Sequence, residues 1–144
     1  MNHKHQHGFT LIEIIIVVAL ISLIVSLGYP SYAWHVKRAK ITEATSHLGE
    51  LQLLSSQHYQ DEHSYIKADG TCAVAAPANK HFNFACSGAA HSFTWTASNK
   101  ANVGLGLSGD FQFTIDHHGT KTTTSFDGSV LSKNCWILSP STSC

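Results

Sequence analysis

A single carboxylate stands at the edge of a long apolar segment near the start of the chain. Glu13 precedes a stretch without Asp, Glu, Lys or Arg that continues to Lys37, and a carboxylate beside apolar surroundings normally has a partner. Cleavage after Gly8 would place the new amine of Phe9 one helical turn before Glu13, on the same helix face. The two groups could then neutralise each other within one chain or fix the register between two packed chains. Alternatively, Glu13 lies in the headgroup region, stabilised by the helix N-terminus.

The cysteines are the second group of residues with chemistry of their own. There are four, and their even number is typical of disulfides formed in an oxidising compartment. Three pairings are open, and we favour Cys72–Cys86 with Cys135–Cys144 because each bond closes a short local loop. Zinc is the alternative, but the sequence lacks the paired Cys or Cys/His spacing that zinc sites use.

Three further patterns carry less weight. The segment 104–109 matches GxGxxG, but an alternating strand follows it instead of a helix, so we interpret it as a flexible inter-strand loop and not as a dinucleotide site. His58, Asp61 and His63 could bind a metal, although solvated polar residues at a helix end are commoner. No nucleophile has a recognisable base and orienting partner. We therefore expect neither an enzyme nor a cofactor or metal site.

Length and charge limit the remaining functions. The chain has 144 residues, with nine Lys and Arg against nine Asp and Glu, which is enough for one modest domain. A general nucleic-acid binder needs a basic face, whereas the lysines beyond the N-terminal half are scattered: Lys80, Lys100, Lys121 and Lys133. DNA binding by this chain is therefore only weakly supported.

One long helix is predicted over about 9–60. Its first part, about 9–34, is apolar enough to predict a transmembrane segment, and the part over about 35–60 has an amphipathic stripe. At 1.5 Å per residue the helix would extend roughly 75 Å. Gly28 and Pro30 should bend it or melt it locally. The stripe consists of Ile41, Ala44, Leu48, Leu51 and Leu54.

From residue 61 to 144 the pattern changes to turns and strands, which predicts a globular head. Apolar and polar residues alternate with period two around Phe84, Trp95 and Phe113, as in half-buried antiparallel strands. Asp116–Gly119 then separates a third strand from a fourth over 120–126, as a hairpin in which glycine adopts positive φ. A helix covered by a small antiparallel sheet of about four strands is an α+β fold.

Gly8-Phe9-Thr10-Leu11-Ile12-Glu13, followed by an apolar helix with Pro30 in a Tyr-Pro-Ser-Tyr context, resembles the type IV prepilin signature. The resemblance implies that residues 1–8 are a leader, removed by prepilin peptidase between Gly8 and Phe9. It also implies N-methylation of Phe9 and roles in assembly for Glu13 and Pro30. The ending from Cys135 to Cys144 is similar to the C-terminal disulfide loop of PilE-like minor pilins.

By this resemblance we expect a minor subunit of a type IV pilus that serves adhesion, twitching motility or DNA uptake. Its partners would be other pilin subunits, prepilin peptidase, the inner-membrane assembly machinery and, before assembly, the lipid bilayer, with no small-molecule substrate. We expect a single-pass inner-membrane protein with a periplasmic head, and a cell-surface pilus afterwards. Lys37, Arg38 and Lys40 favour the opposite orientation by charge counting, but the cysteines and the resemblance outweigh them.

Two other functions are considered. A pseudopilin of a type II secretion system would use the same leader and helix, although the cysteine-closed C-terminus favours the pilin. A membrane-tethered periplasmic module that captures metal through its histidines would retain its leader and bind metal saturably.

Overall fold

The structure, a computed structural model, describes residues 9–144, except for the side chains of residues 27–31. Within these residues one long helix, α1 (Leu11–Glu62), precedes a five-stranded antiparallel sheet. The strands are β1 (Phe82–Ala89), β2 (Ser92–Asn99), β3 (Gln112–Asp116), β4 (Lys121–Phe126) and β5 (Ser129–Lys133), and each pairs with the next along the chain. The predicted α+β fold is confirmed. The chain divides into two compact units between Val36 and Lys37.

The helix differs from its prediction in the first unit. α1 continues through Gly28 and Pro30, so the local melting that we considered there is wrong. A proline removes only one backbone donor, and the flanking turns of a long helix keep their hydrogen bonds. No helical stretch within the described residues combines the length and the hydropathy that a bilayer crossing requires. The transmembrane segment over about 9–34 stays a prediction.

In the second unit, α1 buries one face against the sheet. Ile41, Ala44 and Leu48 are completely buried and Leu51 is nearly so, as the predicted stripe requires. Leu54, however, is 41% exposed, which corrects the last position of that stripe. The stripe ends instead at residue 55, four positions after Leu51, because this spacing follows the helical period more closely.

The inward position at the end of the stripe belongs to a polar residue. Ser55 is buried and accepts a hydrogen bond of 3.1 Å from the indole nitrogen of Trp95. Its hydroxyl also donates to the carbonyl oxygen of Leu51 at 2.7 Å. Trp95 is the largest completely buried side chain of the head, and a buried indole N–H needs an acceptor. Serine therefore suits this position better than leucine.

The alternation predicted for the strands is confirmed. Phe84, Trp95 and Phe113 point inward and are at most 8% exposed, and the same holds for Phe82, Phe93, Ala97 and Ile115. The register places Phe84 opposite Ala97, and Ala97 opposite Phe113. One face of the sheet thus forms the core with α1, and the other face carries the intervening polar side chains.

The sheet has five strands where about four were predicted. β5 pairs with β4 through a turn at Asp127 and Gly128, whose φ angles are both positive, at 49° and 79°. An Asp-Gly pair is a strong hairpin signal. The strand after it escaped prediction because it is mostly exposed and lacks alternating apolar residues.

Both disulfides join the pairs favoured from the sequence. Cys72–Cys86 links the segment after α1 to β1, and Cys135–Cys144 closes the C-terminal loop. The loops are short, with sequence separations of 14 and 9 residues. Each bond contributes about 3 kcal/mol or less to stability by restricting the unfolded chain.

The glycine-containing segment 104–109 lies between β2 and β3, as predicted, but it is tied to the core. Asn99 is completely buried, and its side-chain oxygen accepts the amide hydrogen of Phe111 at 2.8 Å. Its side-chain nitrogen donates to the carbonyl oxygen of Leu107 at 2.7 Å, and Leu105 is also completely buried. The predicted flexible loop is thus held by a buried amide that satisfies its backbone groups.

Candidate functional site

The start of α1 carries the residues that we predict for processing and assembly. The hydroxyl oxygen of Thr10 accepts the amide hydrogen of Glu13 at 3.3 Å, and Glu13 lies in the first turn. This Thr-x-x-Glu spacing is that of a capping box, and the helix dipole favours a carboxylate there. Within the described residues no salt bridge includes Glu13. In a single copy of the chain, the surroundings of Glu13 thus agree with the interpretation that the N-terminus of α1 stabilises its carboxylate.

Some of the predicted residues lie outside the structural description. These are Gly8, with the rest of the predicted leader, and the side chain of Pro30. Phe9, on the other side of the predicted cleavage bond, is 80% exposed. Cleavage, methylation and the assembly role of Pro30 therefore stay predictions.

The first unit presents an apolar surface around the whole helix. Twelve Leu, Ile and Val side chains between Leu11 and Val25 are each 45% to 79% exposed. The hydroxyls of Ser22 and Ser26 donate to carbonyl oxygens of the same helix, at 2.7 and 2.8 Å, so these polar side chains are satisfied internally. A continuous exposed apolar surface of this extent marks a protein or membrane interaction site.

A polar clasp joins α1 to the start of β1. The carboxylate of Glu43 accepts a hydrogen bond from the side-chain nitrogen of Asn79 at 2.8 Å and lies 3.1 Å from Nδ1 of His81. The side-chain oxygen of Asn79 accepts the amide hydrogens of His81 and Phe82. The hydrogen bond from Asn79, followed by the contact with His81, lowers the pKa of Glu43 below its usual value of 4.5.

The clasp predicts a pH dependence of stability. Because the pKa of Glu43 is lower in the folded head, its contribution is present above pH 4.5 and is lost as the pH falls through the folded value. In Glu43→Gln we expect the unfolding free energy to fall less steeply with acid than in the parent, since this titration is removed. Urea unfolding of the full chain at a series of pH values measures the slope. Parallel slopes for parent and variant would contradict the assignment, and Glu50→Gln is the control on the same helix.

Two of the histidines considered for metal binding, His58 and His63, lie at the end of α1. Nδ1 of His58 donates to the carbonyl oxygen of Ser64 at 2.9 Å, and His63 follows the end of α1 with a φ of 54°. Across residues 9–144, no three His, Cys, Asp or Glu side chains are grouped to hold a metal ion.

An aromatic cluster that the sequence did not predict lies near the C-terminal end of α1. Tyr59 stacks on Tyr65 with centroids 4.4 Å apart, and its hydroxyl lies 3.1 Å from Nδ1 of His91. Tyr65 packs edge to face on Phe93 at 4.7 Å, and His117 lies 6.3 Å from both Tyr65 and Phe93. These rings come from α1, the loop after it, the turn between β1 and β2, β2 itself and the turn after β3, so the tertiary fold brings them together.

An open cleft of about 350 Å³ lies at the same end of the sheet, a volume in the range of small-ligand sites. Asp116 lines it and also holds the predicted hairpin, accepting the amide hydrogens of His118 and Thr120 at 2.9 and 2.8 Å. Partial burial raises the pKa of Asp116, but the hydrogen bonds from Thr120 and His118 outweigh it and hold that pKa below its usual value. The carboxylate is therefore ionised at neutral pH.

The lysines differ in what they contact. The ammonium group of Lys37 lies 3.2 Å from a carboxylate oxygen of Asp127, and that of Lys100 donates to the carbonyl oxygen of Asn79 at 2.7 Å. Lys121 is exposed, and its nitrogen lies 4.8 Å from the ring centroid of Trp136. These contacts leave Lys121 as a cation beside an aromatic ring near the C-terminal disulfide loop.

Comparison with known proteins identifies the family. The model of the prokaryotic N-terminal methylation motif matches residues 3–29, and the model described as type IV minor pilin ComP, DNA uptake sequence receptor, matches residues 30–110. No solved structure shows a significant match.

Several fimbrial proteins are similar to the chain. The fimbrial protein EcpC of Eikenella corrodens is 32% identical over 55% of this chain and 52% of its own length. A probable minor fimbrial protein of Dichelobacter nodosus is 38% identical over 54% of this chain and 43% of its own. The type IV major pilin protein PilE1 of Neisseria gonorrhoeae is 34% identical over 51% of this chain and 34% of its own length. The chain thus spans about half the length of these relatives, or less.

The predicted pilin resemblance is confirmed. Because the second family model covers more than half of the residues, the chain belongs to the type IV minor pilin family described as ComP, DNA uptake sequence receptor.

Proposed function

We propose that this chain is assembled as a minor subunit of a type IV pilus through the apolar surface of α1. One observation carries the proposal: the apolar side chains between Leu11 and Val25 are exposed on all sides of the helix. Burying this surface against neighbouring helices contributes about 25 cal/mol for each Å² removed from water. The proposed role is structural, with the head on the fibre surface, and it serves adhesion, twitching motility or DNA uptake.

Removal of the leader would also create a polar contact within the interface between neighbouring helices. Prepilin peptidase removes residues 1–8, and the exposed amine of Phe9, once methylated, pairs with Glu13 of a neighbouring subunit. The match to the N-terminal methylation motif supports this step. A carboxylate in an apolar fibre core is costly unless it is paired, so the pair selects one register of packing. Pro30 lies in the same assembly segment.

Before assembly, the subunit is held at the inner membrane with its head in the periplasm. The exposed apolar side chains of the first unit support a non-aqueous environment for that segment. The two disulfides support an oxidising compartment for the head. The inner-membrane assembly machinery then transfers the subunit to the fibre.

Glu13→Val tests the assembly proposal. We expect normal removal of the leader but at least a tenfold loss of the subunit from sheared surface fibres, because the neighbour's amine loses its partner in an apolar setting. The subunit is quantified in the fibre and membrane fractions by mass spectrometry. Glu62→Val, at the exposed end of α1, is the matched control. Equal incorporation of both variants would show that Glu13 serves only the helix start.

DNA binding is a second candidate function, because the matched family is described as a DNA uptake sequence receptor. The exposed Lys121 lies beside the ring of Trp136. Proteins that bind single-stranded nucleic acid often combine an aromatic ring, on which a base stacks, with a cation that contacts the phosphate backbone. Lys133 lies on the neighbouring strand, in register with Thr123. The formal charge of zero argues for a local contact instead of a basic face.

The DNA candidate is tested by titrating labelled single strands and duplexes against the full chain at several salt concentrations. Lys121→Ala with Lys133→Ala should weaken binding and lower the salt slope by about one for each lysine–phosphate pair that the substitutions remove. Lys80→Ala, at an exposed loop position, is the control. An unchanged slope in the double variant would remove this surface as the DNA contact.

A further inference from the structure

The outer face of the sheet, opposite α1, carries polar side chains arranged in rows across the strands. One row consists of Ser87, Thr94 and Asp116, which are direct partners in the ladder. The next contains Thr96, Thr114 and Thr122, and a third contains Ser98, Gln112 and Thr124. In the third row the side-chain nitrogen of Gln112 donates to the hydroxyl of Ser98 at 3.0 Å, and the hydroxyl of Thr124 donates to Gln112 at 2.9 Å.

This outer face is rich in hydroxyl groups and nearly free of charge. Across the three rows Asp116 is the one ionisable side chain, and no lysine or arginine occurs among them. The residues of β2, β3 and β4 in these rows are half-exposed. Such a surface offers hydrogen-bond donors and acceptors without an electrostatic preference for a phosphate polymer.

The cleft of about 350 Å³ opens at the first of these rows. Its lining includes Ser87, Ser92, Thr94 and Asp116, together with the backbone-rich turn positions around Gly88. An added Cβ at Gly88 would lie 3.2 Å from the sulfur of Cys72 and 3.4 Å from the carbonyl oxygen of Ser92. Because Gly88 has no side chain, the disulfide of Cys72 can pack closely against the backbone that lines the cleft.

Asp116 supplies the cleft with its strongest acceptor. A carboxylate has about four acceptor positions, and the hairpin amides of His118 and Thr120 both bond to the same oxygen, Oδ1. Capacity is left for a ligand hydroxyl. The hairpin bonds also spread the negative charge, which reduces its attraction for a cation.

We propose that this cleft binds a neutral saccharide through the hydroxyls of Ser87 and Thr94 and the carboxylate of Asp116, with the next sugar units following the hydroxyl rows of the outer face. A sugar ring presents O–H donors to the carboxylate and oxygen acceptors to the hydroxyls. An anionic polymer is disfavoured because Asp116 repels it and, apart from His117 in the cleft lining, no basic side chain of the rows or of the lining offsets that repulsion. The inference goes beyond fibre assembly and is tested on the isolated subunit.

Saturation-transfer NMR on the full chain in a zwitterionic, sugar-free micelle provides the test. The probes are cellohexaose and maltohexaose, with a hyaluronan hexasaccharide as the anionic match and a short DNA duplex. We expect transfer to at least one neutral probe, and chemical-shift changes at the amides of Ser87, Thr94 and Asp116. Transfer to the neutral probes is expected to exceed transfer to hyaluronan or DNA.

Two substitutions with matched controls locate the contact. Thr94→Val removes one hydroxyl at nearly constant shape, and Asp116→Asn keeps an oxygen for the hairpin amides while removing the charge. Each should weaken neutral-saccharide binding about tenfold, with amide spectra that show a folded head. Thr42→Val on α1 and Asp69→Asn in an exposed turn should leave binding unchanged. If either cleft variant fails to fold, Ser87→Ala replaces it.

The proposal is overturned by any of three results. The first is no transfer to either neutral probe at millimolar concentration. The second is equal loss of binding in the cleft variants and in their controls. The third is stronger binding of hyaluronan or DNA at the same amides, which would assign the face to an anionic polymer.

Discussion

Gly8→Val is expected to leave residues 1–8 on the chain and to abolish fibre incorporation. A branched side chain beside the bond between Gly8 and Phe9 would obstruct close approach of the peptidase. Without cleavage there is no Phe9 amine to methylate or to pair with Glu13 of a neighbour. The measurement is the intact mass of the chain recovered from membranes, where the parent is processed and the variant retains the mass of the leader.

Gly49→Val is the matched control for this prediction. It makes the same substitution within α1, where an added Cβ would have no atom within 4 Å. We expect normal cleavage in the control, since residue 49 lies far from the processed bond along the chain. Normal cleavage in Gly8→Val as well would contradict the assignment of the cleavage site.

Asn99→Ala is expected to destabilise the head by about 2–4 kcal/mol, the largest effect of a single polar substitution that we predict. The buried side chain of Asn99 bonds to the backbone groups of Phe111 and Leu107 at 2.8 and 2.7 Å. Removing it leaves a completely buried N–H at Phe111 without its acceptor and releases the segment 104–109. Chemical unfolding of the full chain, followed by the near-ultraviolet signal of buried Trp95, measures the loss.

Asn83→Ala is the control for the buried amide. Asn83 lies on the exposed face of β1, so the same truncation should change stability by at most about 0.5 kcal/mol. A loss in Asn99→Ala no greater than this would show that water replaces the amide without cost. The loop would then be held by Leu105 and not by Asn99.

The sequence predicted the fold wherever one physical period decided the structure. The alternation around Phe84, Trp95 and Phe113 correctly assigned the inner faces of three strands, because a strand exposes alternate residues to opposite sides. The stripe through Ile41, Ala44 and Leu48 likewise assigned the inner face of α1. The disulfide partners followed from short sequence separation.

The sequence failed where a tertiary contact overrode the local pattern. Leu54 fits the apolar stripe by residue type, but the helical period places residue 55 inward, and the polar Ser55 is accommodated there because Trp95 requires an acceptor for its indole N–H. Nothing local shows that requirement. The hydrogen bonds that tie segment 104–109 to the core were missed for the same reason, since its glycines give no sign of the buried side chain of Asn99 that makes them.

The candidate sites divide in the same way. Phe9 and Glu13 were singled out because they lie four residues apart in one short motif, and their roles stay predictions. The cleft was not, because Ser87, Thr94 and Asp116 become neighbours only through the register of three strands. The alternating polar positions carried a usable signal, namely an outer face with hydroxyls and almost no charge, but alternation alone cannot align the strands.

The central claim is that this chain is matured and built into a surface fibre. Its most direct test is the non-reduced intact mass of the chain in fibres sheared from the cell surface. We predict a mass that lacks residues 1–8, carries one added methyl group and contains two disulfides. A chain that retains the leader would contradict the claim, and a processed chain found only in membranes would indicate a pseudopilin instead of a fibre subunit.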